Sequence, residues 1–325
     1  MSKSMKLLIQ GCGYIGQVHL KTIRNNGLCD VAICDTNPAR LEEVAKKFNV
    51  SETYTSLDEA LKHPFDGAVI CTPNFAHRGD LEKCVNAGLN VMMEKPVAES
   101  VEAAKAIVEA CERTGKFAFV AYCLRFAKPY QTIKGIIQSG KLGKVFSIRA
   151  SVAGKKAITD AFTDYRTKRA LGGGVISDFS HEIDYSLWFA DSPVVNAIGA
   201  GSRAVHKDWD VLDTAELIIM CENNISLSIH MDFLQPYFGR TIEIYGTEGA
   251  IRFRDNEPIK LYTAATDTWE NLDSEVNFDD VYRDEMVHYL DCLRGVEKPC
   301  VDAEAGYELM RVIEACTRSA EVNEH

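Results

Sequence analysis

No apolar run in this 325-residue sequence approaches the ~18 residues needed to cross a bilayer, so no membrane partner is expected. Cations are in deficit: 36 Lys and Arg stand against 47 Asp and Glu, a formal charge of −11 at pH 7. That balance disfavours a generally basic nucleic-acid surface, and no nucleic-acid partner is expected. Proline is scarce, at nine residues, and no Pro/Gly/Ser-rich linker separates the two halves. The 11 cysteines form no C-x-x-C pair and no Cys/His cluster at zinc spacing, which argues against a metal site. Reduced thiols acting as small hydrophobes are the expectation, and with them a cytoplasmic setting. The opening Met1-Ser-Lys-Ser-Met-Lys6 runs straight into a short apolar strand and does not read as a signal peptide.

What is present is an ordinary globular composition, 46% hydrophobic and 26% charged, at a length suited to two domains with separate cores. The first 120 residues alternate. Continuous apolar runs at 6–9, 31–33, 67–70, 90–92 and 117–120 read as strands buried on both faces. Helical stretches at 15–25, 38–48, 76–86 and 101–114 separate them, so an α/β domain with a parallel sheet is expected over 1–122. Beyond 122 the pattern changes. A helix at 130–138, a period-two strand at 144–152 and a helix after Gly172 precede five strand-like runs with no helices between them. Two amphipathic helices close the chain, around 282–294 and 303–319. This predicts an α+β domain over 123–325 with a largely antiparallel open sheet covered on one face by helices.

Gly11-Cys-Gly13-Tyr14-Ile15-Gly16 follows the first strand and opens the first helix. The first glycine permits a tight turn, the second admits a pyrophosphate close to the backbone, and the third lets helix and strand pack closely. The helix N-terminus offers N–H groups to the phosphates. Asp35, at the end of the second strand, suits a ribose 2′-hydroxyl. Together these predict a Rossmann domain preferring NAD to NADP, with Arg40 the one nearby cation that would weaken the preference.

Two further segments sit where strands end. Cys71-Thr72-Pro73-Asn74-Phe-Ala-His77 follows the strand at 67–70, on the edge where doubly wound sheets bind ligands. Asn74 also reads as a helix cap, and the two roles are compatible. Glu94-Lys95-Pro96 follows the strand at 90–92, where an ammonium would steady a developing alkoxide. A plain surface turn is the competing reading, and Glu297-Lys298-Pro299 repeats the tripeptide in a loop with no assigned chemistry.

The segment from Gly172-Gly-Gly174 to Trp188 completes the set. Placed on one continuous helix, Ile176, Phe179, Ile183, Leu187 and Ala190 form a core stripe. Asp178, His181, Tyr185 and Trp188 fall opposite, as an aromatic-lined polar cleft would require. A histidine one turn from a carboxylate is a plausible general base.

In this order the motifs resemble the Gfo/Idh/MocA family, glucose-fructose oxidoreductase, inositol dehydrogenase and relatives, over nearly the whole chain. The resemblance implies reversible hydride transfer between a nicotinamide and a secondary hydroxyl of a sugar, sugar derivative or cyclitol. The alternatives are an NADP-dependent sugar reductase or a dinucleotide-sensing regulator of the same fold that transfers no hydride. It also implies roles for particular residues. Gly11, Gly13 and Gly16 hold the pyrophosphate, with Tyr14 and Ile15 in the same loop, and Asp35 holds the ribose. Thr72, Pro73, Asn74, His77, Glu94 and Lys95 line the cofactor. Lys95, Asp178 and His181 are the catalytic set, and Arg125, Tyr165 and Arg166 join them on the substrate side. Many members place the histidine four residues after the aspartate. Here the spacing is three and Glu182 holds the fourth position, so the register of His181 and Glu182 is open. A homodimer or homotetramer through the C-terminal sheet is also implied.

Overall fold

The computed structural model describes residues 4–154 and 166–322. Residues group into two compact units, 1–123 with 278–310, and 124–277 with 311–325. None of the described helices is long and apolar enough to cross a membrane.

In the first unit β1 (Lys6–Gln10), α1 (Tyr14–Asn26), β2 (Asp30–Cys34), α2 (Pro38–Phe48), β3 (Thr53–Tyr54), α3 (Leu57–Ala60), β4 (Gly67–Ile70), α4 (Asn74–Asn86), β5 (Asn90–Glu94), α5 (Val101–Thr114) and β6 (Ala118–Ala121) follow one another. The six strands are all parallel, in the order β3-β2-β1-β4-β5-β6, which is that of a doubly wound dinucleotide-binding sheet. β4 and β6 are buried throughout, and β1, β2 and β5 are buried at all but one or both end residues, because helices cover both faces. Terminators in the sequence act as such. Asn37 accepts hydrogen bonds from the Ala39 and Arg40 amides, Ser100 accepts one from Ala103, and Gly27 and Gly115 end their helices in the left-handed conformation. The short β3 and α3 carry too little periodicity to be read from sequence.

The second unit holds α6 (Lys128–Gln138), β7 (Val145–Ala153), α7 (Val175–Asp178), α8 (His181–Ala190), β8 (Val194–Ser202), β9 (Thr214–Cys221), β10 (Ser226–Asp232), β11 (Gly239–Gly246), β12 (Gly249–Arg254), β13 (Ile259–Thr263) and β14 (Thr268–Leu272). Its sheet runs β14-β13-β12-β11-β7-β10-β9-β8, antiparallel except for the β7–β10 pair. In β9, Ala215, Leu217, Ile219 and Cys221 are buried while Glu216, Ile218 and Met220 face outward, the alternation of a sheet with one solvated face.

Two sequence expectations need correction. The helix expected after Gly174 is two helices: α7 ends at Asp178, and Phe179 (φ −93°, ψ 30°) and Ser180 turn the chain before α8 begins at His181. A wheel drawn through 176–190 therefore loses its phase. Tyr185, expected in a polar cleft, is fully buried, its ring centroid 5.0 Å from Tyr130 and 5.7 Å from Phe189, whereas Leu187 is half-buried.

The second correction concerns α9 (Phe278–Leu293), which was expected on the second sheet and belongs to the first unit. Its Tyr289 hydroxyl lies 3.0 Å from the Ala68 carbonyl oxygen of β4 and 2.9 Å from that of Asn90 in β5. A Cβ on Gly67 would come within 2.4 Å of that hydroxyl, so glycine makes the docking possible. The last helix, α10 (Ala303–Val322), starts in the first unit and ends in the second.

Candidate active site

The glycine loop leaves β1 through Gly11, whose amide bonds the Cys34 carbonyl and whose φ of +94° demands glycine. A Cβ on Gly16 would lie 2.0 Å from the Gly11 oxygen, so the third glycine seats α1 against the turn. At Gly13 the opposite holds. Its Cβ would meet nothing within 4 Å, and Gly13 heads α1 without a side-chain cap. Open space beside the backbone at a helix N-terminus fits a pyrophosphate, with the Tyr14, Ile15 and Gly16 segment behind it.

Asp35 is buried at the end of β2. One carboxylate oxygen accepts the Cys12 amide at 2.8 Å, and the other accepts the Asn37 amide at 2.8 Å. Arg40 reaches the same carboxylate at 3.4 Å. Each oxygen keeps acceptor capacity for a ribose hydroxyl. The nearby Cys12 thiol is pushed up to about 12 by burial and then by the Asp35 charge, which makes it inert.

His77 does something the sequence did not indicate. It is buried, with Nε2 2.8 Å from the Thr72 oxygen and Nδ1 3.1 Å from the Pro96 oxygen. Its ring lies between the Thr72-Pro73-Asn74 loop and the Glu94-Lys95-Pro96 turn, and burial depresses its pKa, so the neutral imidazole donates to one of these carbonyls at a time. Thr72 in turn donates to Asp80 at 2.8 Å, a carboxyl that burial holds above its ordinary range. Glu94 accepts the Lys95 amide at 3.3 Å and lies 2.8 Å from Nε2 of the fully buried His19 on α1. Sequence reading missed His19 and Asp80 because their partners lie 75 and 8 residues away, on other elements.

In the second unit the glycines serve the backbone. Gly172 and Gly174 have φ of +73° and +111°, and the amides of Gly173 and Gly174 bond the Lys168 and Arg166 carbonyls. This brings Arg166 to Asp178, with Nε 3.2 Å from the carboxylate. His181 opens α8 and is half-buried. Arg125, expected on the substrate side, grips the buried Asp184 with Nε at 3.0 Å and a terminal nitrogen at 2.7 Å. Burial pushes the Asp184 carboxyl up, and Arg125 only partly offsets it. Glu182 is fully buried and 2.6 Å from Arg240 Nε. Burial opposes the Arg240 cation, but the Glu182 carboxylate more than compensates and holds it protonated. Tyr165 lies outside the described residues. Among the described residues no cluster of His, Cys, Asp or Glu could hold a metal ion.

Comparison with known proteins agrees with the fold. The family model described as "Oxidoreductase family, NAD-binding Rossmann fold" matches residues 5–122, and the GFO/IDH/MocA C-terminal domain matches 130–252. The chain is 24% identical over 313 residues to scyllo-inositol 2-dehydrogenase (NAD(+)) of Bacillus subtilis, covering 93% of this chain and 90% of that protein. It is also 24% identical to D-apiose dehydrogenase of Paraburkholderia graminis, over 98% of this chain and 88% of the relative. Myo-inositol 2-dehydrogenase of Lactobacillus plantarum shares the fold, with a TM-score of 0.85 at 21% identity over 99% of this chain and 98% of that one. With both halves matched in order, the chain belongs to the GFO/IDH/MocA oxidoreductases and carries their NAD-binding Rossmann domain.

Proposed function

We propose that this oxidoreductase oxidises a secondary hydroxyl of a sugar, sugar derivative or cyclitol, with Lys95, Asp178 and His181 as its working residues. The observation that carries the reading is the open approach at Gly13 together with the acceptor-bearing Asp35, a seat for an NAD rather than a bare glycine turn. The inositol and apiose dehydrogenases among its relatives support the substrate class. Bound NAD+ supplies the hydride acceptor. Lys95 polarises the hydroxyl and stabilises the alkoxide charge as it develops. His181 takes the hydroxyl proton, and Asp178, held by Arg166, orients the reacting groups. Following NAD+ reduction across a panel of sugars, inositols and nucleotide sugars tests the assignment. No turnover with any of them would remove it.

Coenzyme choice follows from Asp35. A 2′-phosphate would face its carboxylate, while Arg40 is already drawn onto that carboxylate. kcat/KM is expected to favour NAD+ by at least about tenfold, the factor set by about 1.4 kcal/mol of like-charge repulsion. Equal or better kinetics with NADP+ would refute it.

The proposed assembly is a homodimer or homotetramer built on the outer sheet face, in the cytoplasm. Ile198 of β8 pairs across to Ile218 of β9, both about half exposed, at 50% and 43%. Replacing Ile218 with Glu places a charge in that face and is expected to shift the particle to monomer in light scattering. A wild type that is already monomeric at micromolar concentration would contradict the assembly.

A further inference from the structure

Behind the Glu94-Lys95-Pro96 turn lies a buried cluster drawn from three elements of the first unit: His19 from α1, Glu94 at the end of β5, and Tyr282 and Glu285 from α9. Glu285 is fully buried, and among the described residues neither of its carboxyl oxygens has a hydrogen-bond partner. His19 is also fully buried. Its Nε2 meets Glu94 at 2.8 Å, its Nδ1 has no partner, and its ring stands edge-on to Tyr282 with centroids 5.8 Å apart. A buried carboxyl left so incompletely bonded is uncommon in a folded protein and calls for a reason.

We propose that Glu285 is a positioning residue for the Glu94-Lys95-Pro96 turn, its carboxyl completing the buried seat in which Glu94 is held by His19 and by the Lys95 amide. The proposal rests on the assignment of Lys95 to the reaction. A fully buried carboxyl beside a partly exposed carboxylate does not ionise readily, because its charge is opposed by burial and by the neighbour. Glu94 has donors, His19 and the Lys95 amide; Glu285 has none. Glu285 is therefore the one that keeps its proton, and burial first and the Glu94 charge second both push it well above the ordinary carboxylate range.

The titratable groups facing Glu285 are Glu94 from β5, Cys71 after β4 and, on its own helix, Tyr282, while His19 reaches the cluster through Glu94 and Tyr282. Cys71 and Tyr282 are themselves held neutral by burial, so Glu94 is the charge that matters. A neutral Glu285 leaves Glu94 as the single negative charge of the cluster. Glu94 then stays bound to the amide of Lys95 and sets where the lysine side chain leaves the strand. The unfilled groups are also complementary: a protonated carboxyl donates, and His19 Nδ1 accepts when Nε2 carries the hydrogen.

The sign of the pH effect follows. An acid whose folded pKa is raised costs stability as pH climbs above the unfolded value of ~4.3. The loss continues until the folded pKa is reached. Glu285→Gln keeps the shape and cannot ionise. Its melting temperature is therefore expected to fall less steeply than that of the wild type between pH 5 and pH 9, with and without NADH. This readout needs no substrate and stands even if no sugar or cyclitol is turned over. With a working substrate, Glu285→Leu is expected to lower kcat about tenfold with the KM for NAD+ unchanged, and Glu285→Gln to restore most of the loss. An unchanged pH slope in Glu285→Gln would show that Glu285 is not the proton holder. Wild-type kcat in Glu285→Leu would show that it merely fills space. If the leucine variant fails to fold, the glutamine slope still decides.

Discussion

Lys95→Ala is expected to lower kcat by ~10²–10³ while leaving NADH binding close to that of the wild type, since one preorganised electrostatic group is worth that much in the transition state. Lys95 follows β5 at the C-terminal edge of the parallel sheet, where this topology binds ligands. Its turn is met from two sides, by Glu94 on its amide and by the His77 ring at the Pro96 carbonyl. Neither anchor uses the lysine ammonium, so truncation removes charge without unlocking the turn. Steady-state kinetics and NADH fluorescence titration separate the two effects. Undiminished kcat would return the tripeptide to the status of Glu297-Lys298-Pro299, a surface turn. Loss of NADH binding in parallel would instead make Lys95 a cofactor ligand first.

The second large effect falls on Glu182, and it is structural. Breaking a buried ion pair by removing one partner costs ~3–5 kcal/mol, because the remaining charge stays buried and uncompensated. Glu182 and Arg240 form such a pair, with the carboxylate fully buried and Nε 2.6 Å away. Glu182→Ala should therefore lower the denaturation midpoint severely. The milder Glu182→Gln should keep the fold and leave the rise of kcat/KM with pH in place. His181→Ala should flatten that rise, because an imidazole base must be neutral to accept the proton and its working form is lost as pH falls. A pH profile that survives His181→Ala and disappears in Glu182→Gln would reverse these roles. The buried pair makes that reversal hard to reconcile with the structure.

Local chemistry made most of the parallel sheet legible. Buried parallel strands read as continuous apolar runs, glycines mark a turn only glycine can make, and Asp35 closes the second strand, so β1, β2, β4, β5 and β6 with the helices between them, apart from the short α3, yield their order from short-range signals alone. The glycine turn at Gly11 and Gly16 was legible for the same reason: its meaning depends on near neighbours.

Tertiary structure decided what depends on partners far along the chain. The break at Phe179 and Ser180 is a backbone event with no glycine or proline to announce it, and it invalidated a single helical wheel over 176–190. Arg125, a candidate for substrate, pairs with Asp184, 59 residues away. Glu182, the alternative to His181, pairs with Arg240, 58 residues away. The destination of α9 needed Gly67 to admit Tyr289. Amphipathic periodicity says which face of a helix is buried but not against what, because apolar burial is non-directional. The sequence alone therefore determined the parallel sheet and its glycine loop, while buried pairing across the fold decided where the charged residues of the second unit are held.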